Sequence, residues 1–361
     1  MKVLKKIIAA VCVSALLLTF AGCHKKDETA VTVGDVKFTS AYYMCALIQA
    51  DGTAKQKIKD MAAEDSSIDT SKDDYYYSQK IDGKDYQTWV KDEAISSLKE
   101  IAAYKIKCKE ANLEISEADE SGIQQYVDYY WNNYGYADIY EPNGVSYSTY
   151  KQYYRDTYYS QRYFEYLYGS EGTKAVSEDE VKNYLYTNYA IADILAVSLS
   201  NLEDDAKAEK KQTVQGYADS IKNGSMTFEQ AYVAENPSSA NSETSSDENG
   251  PKDSRATLVG NDKTSSSYQT EHFDTIKAMA TNEVKVIEES DGTGILLVVK
   301  KEISEDPYYL ENMDMSVRHD MKDDEFEKET DSIVKSLKTT VSDYAVNRFK
   351  VKKIKYPETT A

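Results

Sequence analysis

The sequence predicts an α+β protein that is mostly helical, with a helical lobe built from both chain ends and an α+β unit inserted between them. Three patterns carry this expectation. A hairpin pattern stands at one end of the chain and a lone strand pattern at the other; neither is stable alone, so the two ends are expected to pair. On either side of the middle, apolar residues recur at threes and fours, the spacing of helix faces. Residues 189–303 read strand, two helices, loop, helix, strand, strand, a compact α+β order.

Each element follows from its own residues. Ala30 to Phe38 alternates apolar and polar about Gly34-Asp35, a two-residue hairpin signal. Thr39-Ser40 can cap a helix from about Ala41 through Tyr42, Tyr43, Cys45, Leu47 and Ile48. Residues 51–84 are polar and read as irregular. A helix resumes near Tyr86, with Trp89, Val90, Ala94, Ile95, Leu98, Ile101, Ala102 and Ile106 on its spacing. Asn112 to Glu120 ends it, and Ser116 caps the next with Asp119 at the third helical position.

The stretch to Tyr168 is crowded with tyrosine, interrupted by a Pro-Asn-Gly turn at Pro142 to Gly144. Tyrosine joins a wide apolar face to a polar tip at low side-chain entropy cost, which suits an adaptable binding surface. The alternative reading of the same residues, and the plainer one, is a wet, tyrosine-packed core between lobes.

Val176 to Glu180 opens another capped helix, ending at Asn188, and Tyr189 to Leu199 follows as a largely buried strand with Asp193 in its middle. Val214, Tyr217, Ala218 and Ile221 mark a helix that Asn223-Gly224 stops, and Thr227 caps a short one carrying Phe228 and Ala231. Residues 236–267 read as a long mobile loop with one apolar island, Leu258-Val259. A helix over about Thr270 to Ala280 precedes strands at Val284 to Glu288 and Gly294 to Lys301. Asp306-Pro307 starts a last helical pattern through Leu310, Met313, Val317 and Met321, resuming at Ile333, Leu337, Val341 and Tyr344. Phe349 to Tyr356 reads as the closing strand.

The start of the chain bears on compartment. Lys2, Lys5 and Lys6 form a basic region before an apolar stretch, Ile7 to Phe20, about 14 residues long. A bilayer span needs about 20 apolar residues, so this is the length of a signal-peptide core. Phe20-Ala21-Gly22-Cys23 follows, small residues directly before a cysteine. The expectation is cleavage before Cys23 and lipidation of its sulfur, with residues 23–29 as a tether; an ordinary secretory signal is the alternative. Losing the three lysines with the signal takes the formal charge of −19 to about −22, which disfavours nucleic acid and anionic headgroups as partners. Any membrane contact is expected through the lipid alone. Cys45 and Cys108 remain, either paired or as two buried thiols. His24, His272 and His319 are scattered without metal-ligand spacing, so neither a metal, a cofactor nor a histidine-activated nucleophile is expected.

Several stretches, in order, resemble one family. Val31 to Thr39 resembles the "V-A-x-V-N-G-x-x-I-T" opening of SurA-like chaperone domains, and Ala94 to Glu120 resembles the helix pair of the same domain. Val176 to Val181 followed by Tyr189 to Leu195 is similar to the entry of a parvulin peptidyl-prolyl isomerase domain. Ile221 to Ala231 resembles its "I-x-x-G-x-x-F-x-x-L-A" helix pair, and His272 to Val286 its "E-F-x-x-A-x-x-L-x-x-G-E-V-S" segment. With the signal, the whole resembles the PrsA-like foldase lipoproteins of the Gram-positive cell surface. The resemblance implies a signal at 1–22, a chaperone lobe over 30–175, a parvulin-like domain over 176–303 and a returning segment over 304–361.

The sequence departs from that family where its chemistry sits. Parvulins carry a histidine in "A-x-H-I-L", where this chain has Ala192-Asp193-Ile194-Leu195. They carry another in "G-Y-H-I", where this chain has Gly292-Thr293-Gly294-Ile295. The resemblance therefore implies a degenerate isomerase domain with no catalytic residues, Asp193 and Gly294 marking the lost positions. The leading expectation is a lipid-anchored extracytoplasmic chaperone that holds unfolded exported polypeptides, with a homodimer compatible with it and the oligomeric state left open. Its client-binding candidates are Tyr129, Tyr130, Trp131, Tyr153, Tyr154 and Tyr158. Two alternatives stay open: a divergent isomerase using Asp193, and a surface receptor whose aromatics stack on peptides or glycans.

Overall fold

The computed structural model describes residues 28–65, 67–72, 74–238, 251–252, 255–268 and 270–357; the signal segment and Cys23 lie outside the described residues. The fold is α+β and mostly helical. In chain order it runs β1 (Thr29–Val33), β2 (Val36–Thr39), α1 (Ser40–Glu64), β3 (Lys80–Ile81), β4 (Lys84–Asp85), α2 (Tyr86–Glu110), α3 (Glu117–Asn133), α4 (Tyr136–Tyr140) and α5 (Tyr147–Tyr168). Then come α6 (Glu178–Asn188), β5 (Tyr189–Ser198), α7 (Asp204–Lys222), α8 (Phe228–Glu235), β6 (Ala256–Gly260) and α9 (Phe273–Ala278). The chain ends with β7 (Val284–Glu288), β8 (Gly294–Lys301), α10 (Pro307–Ser336), β9 (Thr339–Val341) and α11 (Asp343–Asn347). The described residues fall into two compact units, one within Met1–Tyr163 with Glu329–Ala361 and one within Phe164–Lys328. The divisions fall inside α5 and α10, whereas the sequence placed them near 175 and 303.

In the first unit, β1 and β2 form the expected antiparallel hairpin, with Val33 opposite Val36. Gly34 makes the turn at φ +58°, a left-handed backbone that suits glycine, and a Cβ there would lie 3.0 Å from Ile106 Cδ1. Thr39 caps α1 by accepting from the Tyr42 amide, a contact worth about 1 kcal/mol. The helix then runs to Glu64, well into the stretch read as irregular. Ala50, Ala54 and Ile58 extend the buried stripe of Leu47, and that packing holds the polar residues between them helical. Asp82 and Gly83 both take positive φ and turn a small β3–β4 hairpin in the same stretch.

Two carboxylates are sealed in this unit, each with its charge matched. Asp51 accepts from the hydroxyls of Tyr86 (2.8 Å) and Tyr356 (2.6 Å) and pairs with Lys55 (2.8 Å). Asp156 accepts from Tyr42 (2.8 Å), Gln152 (2.7 Å) and Lys105 (2.5 Å). Such pairing offsets the cost of burying a carboxylate. Cys45 and Cys108 are both buried and free, and burial pushes the Cys108 thiol up to about 11.

The chain end does return to the hairpin, but through other residues than expected. β9 pairs antiparallel with β1, Val31 opposite Val341, to give the order β2-β1-β9. The helical series read as resuming through Val341 and Tyr344 is therefore interrupted: α10 ends at Ser336 and a strand intervenes. Phe349 to Tyr356 is not a strand. Val351 and Ile354 are buried at a spacing of three around one 3-10 turn, and the side chain of Asn143 bonds both the amide and the carbonyl of Lys355 (2.9 and 2.8 Å). Backbone groups held that way have no strand partner to seek.

In the second unit, Ser177 and Glu180 close a capping box on α6, and Thr227 and Gln230 close one on α8. The sheet order is β6-β5-β8-β7, all antiparallel. The island Leu258-Val259, read as part of a mobile loop, is the middle of β6, with Leu258 opposite Ile191; residues 239–250 of that loop lie outside the described residues. Leu195, Val197 and Leu297 face Val214 and Ala218 of α7 and Phe228 of α8. Ala190, Ala192 and Val298 face Phe273 and Ile276 of α9, which is shorter than the sequence suggested. Covered on both faces, β5 reads as a continuous apolar run for that reason. In α10, Arg318 is fully buried; it pairs with Asp314 (Nε–Oδ2 2.7 Å) and donates to the carbonyls of Tyr168 (2.9 Å) and Val176 (2.5 Å).

Candidate client-binding surface

The crowded tyrosines resolve into stripes on α3 and α5. Ser116 caps α3 by accepting from the Asp119 amide, and Glu117, Asp119 and Glu120 place negative charge at its positive end. Ile123, Val127 and Trp131 recur every four residues and are buried. Tyr126, Tyr130 and Tyr134 recur at the same spacing three residues further on, and so occupy a neighbouring stripe at the edge of the core. On α5, Tyr150, Tyr154 and Tyr158 form a matching row, running from buried to half-buried.

The rows meet ring on ring. Tyr126 and Tyr154 stack with centroids 4.4 Å apart and planes 1° from parallel. Tyr126 touches Tyr130 at 4.2 Å, Tyr130 touches Tyr134 at 5.0 Å, and Tyr134 touches Tyr129 at 5.1 Å. Inward, Tyr130 meets Tyr136 at 5.2 Å, Tyr136 meets Tyr150 at 5.6 Å, and Tyr150 meets Trp131 at 5.7 Å. Most of these separations are those aromatic pairs prefer, each worth about 0.5–1.5 kcal/mol beyond burial. The outer end is open: Tyr129 is 52% exposed and Tyr134 57%, their hydroxyls 3.3 Å apart. Burial and the neighbouring phenols push Tyr126 up to about 12; burial and Tyr158 raise Tyr154, and the Tyr134 hydroxyl raises Tyr129. At neutral pH these three present uncharged phenols.

The structure sorts the six client-binding candidates. Tyr129, Tyr130, Tyr154 and Tyr158 belong to the ladder and reach its outer side. Trp131 and Tyr153 do not: Trp131 packs on Tyr140 and Tyr147, and Tyr153 lies edge-on to Tyr42, both inside the core. They support the surface and do not form it. Tyr126, Tyr134 and Tyr136 belong to the same ladder without being among the six candidates, although the spacing of four was visible for 126, 130 and 134.

The two degenerate positions are not brought together. Asp193 on β5 lies opposite Val299, whereas Gly294 at the start of β8 lies opposite Ser198, five residues along the strand. At about 3.4 Å per residue that is roughly 17 Å. They stand at separate places along the β5–β8 pairing. Asp193 is buried, and Lys301 Nζ stands 3.0 Å from its Oδ2. A Cβ at Gly294 would lie 2.6 Å from the Glu289 carboxylate, the mobile end of a side chain that folds over the β7–β8 turn and accepts from Thr293 Oγ1.

Two cavities lie among the described residues. One of about 510 Å³ in the first unit is lined by Val36, Lys105, Ile106, Lys109, Leu113 and Tyr159 among others; Lys105 is paired with Asp156 and Lys109 with Asp35 (3.3 Å). One of about 170 Å³ in the second unit lies beside Ile191, Lys301, Glu302 and Asp306. Among the described residues, no group of three or more His, Cys, Asp or Glu could hold a metal ion, and no helix is long and apolar enough to cross a membrane.

No family model matches the chain, and no curated protein matches it in sequence. Among solved structures, the chain is similar to the foldase protein PrsA from Streptococcus pneumoniae, at 12% identity and a TM-score of 0.38, over 73% of this chain and 85% of that one. A likeness so distant carries no residue-level correspondence.

Proposed function

We propose that this chain is a chaperone that holds unfolded exported polypeptides, and that the tyrosine ladder of α3 and α5 is the surface that meets them. The observation that carries the reading is the continuity of the ladder from Tyr129 and Tyr134, both more than half exposed, down to buried Trp131. A client segment landing there meets rings already held by their neighbours, so little side-chain freedom is lost on binding. Phenol hydroxyls beside ring faces accept both apolar and polar stretches of chain. The excess of negative charge keeps the protein and its complexes soluble.

In this reading Cys23 carries the lipid and the protein works at the outer face of a membrane. Prolyl isomerisation is not part of it, because the Asp193 carboxylate is buried in the sheet against Lys301. The test is the aggregation of a chemically unfolded client, followed by light scattering, with and without the mature, lipid-free chain. Suppression near a stoichiometric ratio is expected; unchanged scattering removes the proposal. For the anchor, Cys23→Ser is expected to release the protein into the medium, and retention on the membrane contradicts it.

A further inference from the structure

We infer that the ladder selects basic clients: extended segments whose arginine or lysine side chains settle on the faces of Tyr129, Tyr130 and Tyr134. The inference rests on the holding function proposed above and names the chemistry of what is held.

Two independent observations point to it. The first is which rings already carry a cation. In the same unit Lys55 lies 3.9 Å from the centre of the Tyr356 ring, Lys352 lies 5.2 Å from Tyr77, and Arg155 and Lys105 lie 5.7 and 5.8 Å from Tyr159. Among the described residues no lysine or arginine covers Tyr126, Tyr129, Tyr130, Tyr134 or Tyr136. These faces are electron-rich, and Tyr129 and Tyr134 are open to solvent, so a cation brought by another chain is attracted to them.

The second is the charge around the ladder. Residues 117–159 hold seven carboxylates against two cations, Lys151 and Arg155; Asp156 is sealed against Lys105, which leaves six carboxylates against those two. Arg155 is committed to Glu120 (Nε–Oε1 2.6 Å) and Lys151 donates to Gln124. The segment is therefore acidic within a chain of formal charge −19, a field that draws basic segments in and repels acidic ones. The adjoining hydroxyls of Tyr129 and Tyr134 can also accept from a guanidinium lying across them. A neutral glycan would gain from the ring faces but not from the field.

The test uses the mature chain and three labelled peptides of equal length, alternating leucine with arginine, glutamine or glutamate, with binding read by fluorescence anisotropy. The arginine peptide is expected to bind about tenfold more tightly than the glutamine peptide at low salt, and the advantage to shrink as salt screens it. Tyr129→Ala combined with Tyr134→Ala is expected to abolish the advantage, whereas Tyr129→Phe with Tyr134→Phe keeps most of it. Both side chains are exposed, and far-UV circular dichroism confirms that each variant is folded. Equal affinity for the arginine and glutamine peptides overturns the selectivity, and the holding function stands if the unfolded client still stays soluble. An arginine advantage that survives in the alanine pair overturns the assignment to the ladder. Failure to bind any peptide, together with unprotected client, overturns both readings.

Discussion

The tyrosine ladder and the strand around Asp193 put chemically suggestive residues in opposite settings. On α3 and α5 the aromatic rings run without a break from the core to solvent, ending at Tyr129 and Tyr134. On β5 the lone acid is closed in: Asp193 is 3% exposed, with the Lys301 ammonium 3.0 Å from its carboxylate and helices on both faces of the sheet. A residue type that stands out in a sequence marks chemistry only where a ligand can reach it. The first region meets that condition, and the second spends its charge on holding the sheet.

Substitutions in the two regions should separate stability from holding. Trp131→Ala is expected to destabilise the first unit most, by about 3–5 kcal/mol, because it empties the packed root of the ladder. Lys301→Met leaves Asp193 buried without this cation and is expected to cost about 2–3 kcal/mol, less than for a fully sealed pair because Lys301 keeps 27% of its side chain in solvent. The double change Asp193→Leu with Lys301→Met should recover most of that loss without altering client protection. A drop in protection there would erase the contrast between the regions. Urea denaturation followed by tyrosine and tryptophan fluorescence measures each value.

Smaller effects sharpen the contrast. Tyr154→Ala removes the ring stacked on Tyr126 and is expected to cost about 1–2 kcal/mol and part of the holding activity. Alkaline pH should loosen the ladder. Tyr126 is pushed up to about 12 in the folded chain, against about 10 when unfolded, so its neutral form favours folding. That contribution is whole below pH 10 and is lost as pH rises towards 12. Urea midpoints at pH 9 and pH 11 check the sign, and a midpoint that does not fall contradicts it. A small stability effect is expected from Tyr129→Ala with Tyr134→Ala, about 0.5–1 kcal/mol per site from the ring pairs lost at the exposed end, alongside the largest loss of client protection.

Local chemistry was legible in the sequence and tertiary contingency was not. The hairpin at Gly34, the caps at Thr39, Ser116, Ser177 and Thr227, and the strands β5, β7 and β8 follow from neighbouring residues, and the sequence located them. The continuation of α1 was hidden because Ala50, Ala54 and Ile58 are widely spaced among polar residues, and only the packing partner makes them a face. β6 was hidden because its order comes from β5 beside it. At the chain end, β9 is three residues long, too short to show a period, while Phe349 to Tyr356 imitates one and is held by Asn143. In the candidate site, tyrosine density was visible but the direction of each ring was not, since tyrosine serves core and surface alike. Hence Trp131 and Tyr153 were read as surface, and Tyr134 was passed over.

Photocrosslinking tests the central claim most directly. Benzoylphenylalanine placed at Tyr134, and separately at Tyr344, compares two exposed tyrosines of the first unit, only one of which belongs to the ladder; Tyr344 is 62% exposed. With an unfolded client under illumination, the account predicts a strong client adduct from position 134 and little from position 344. Equal adducts from both positions, or none from 134 while the client remains protected, would contradict it.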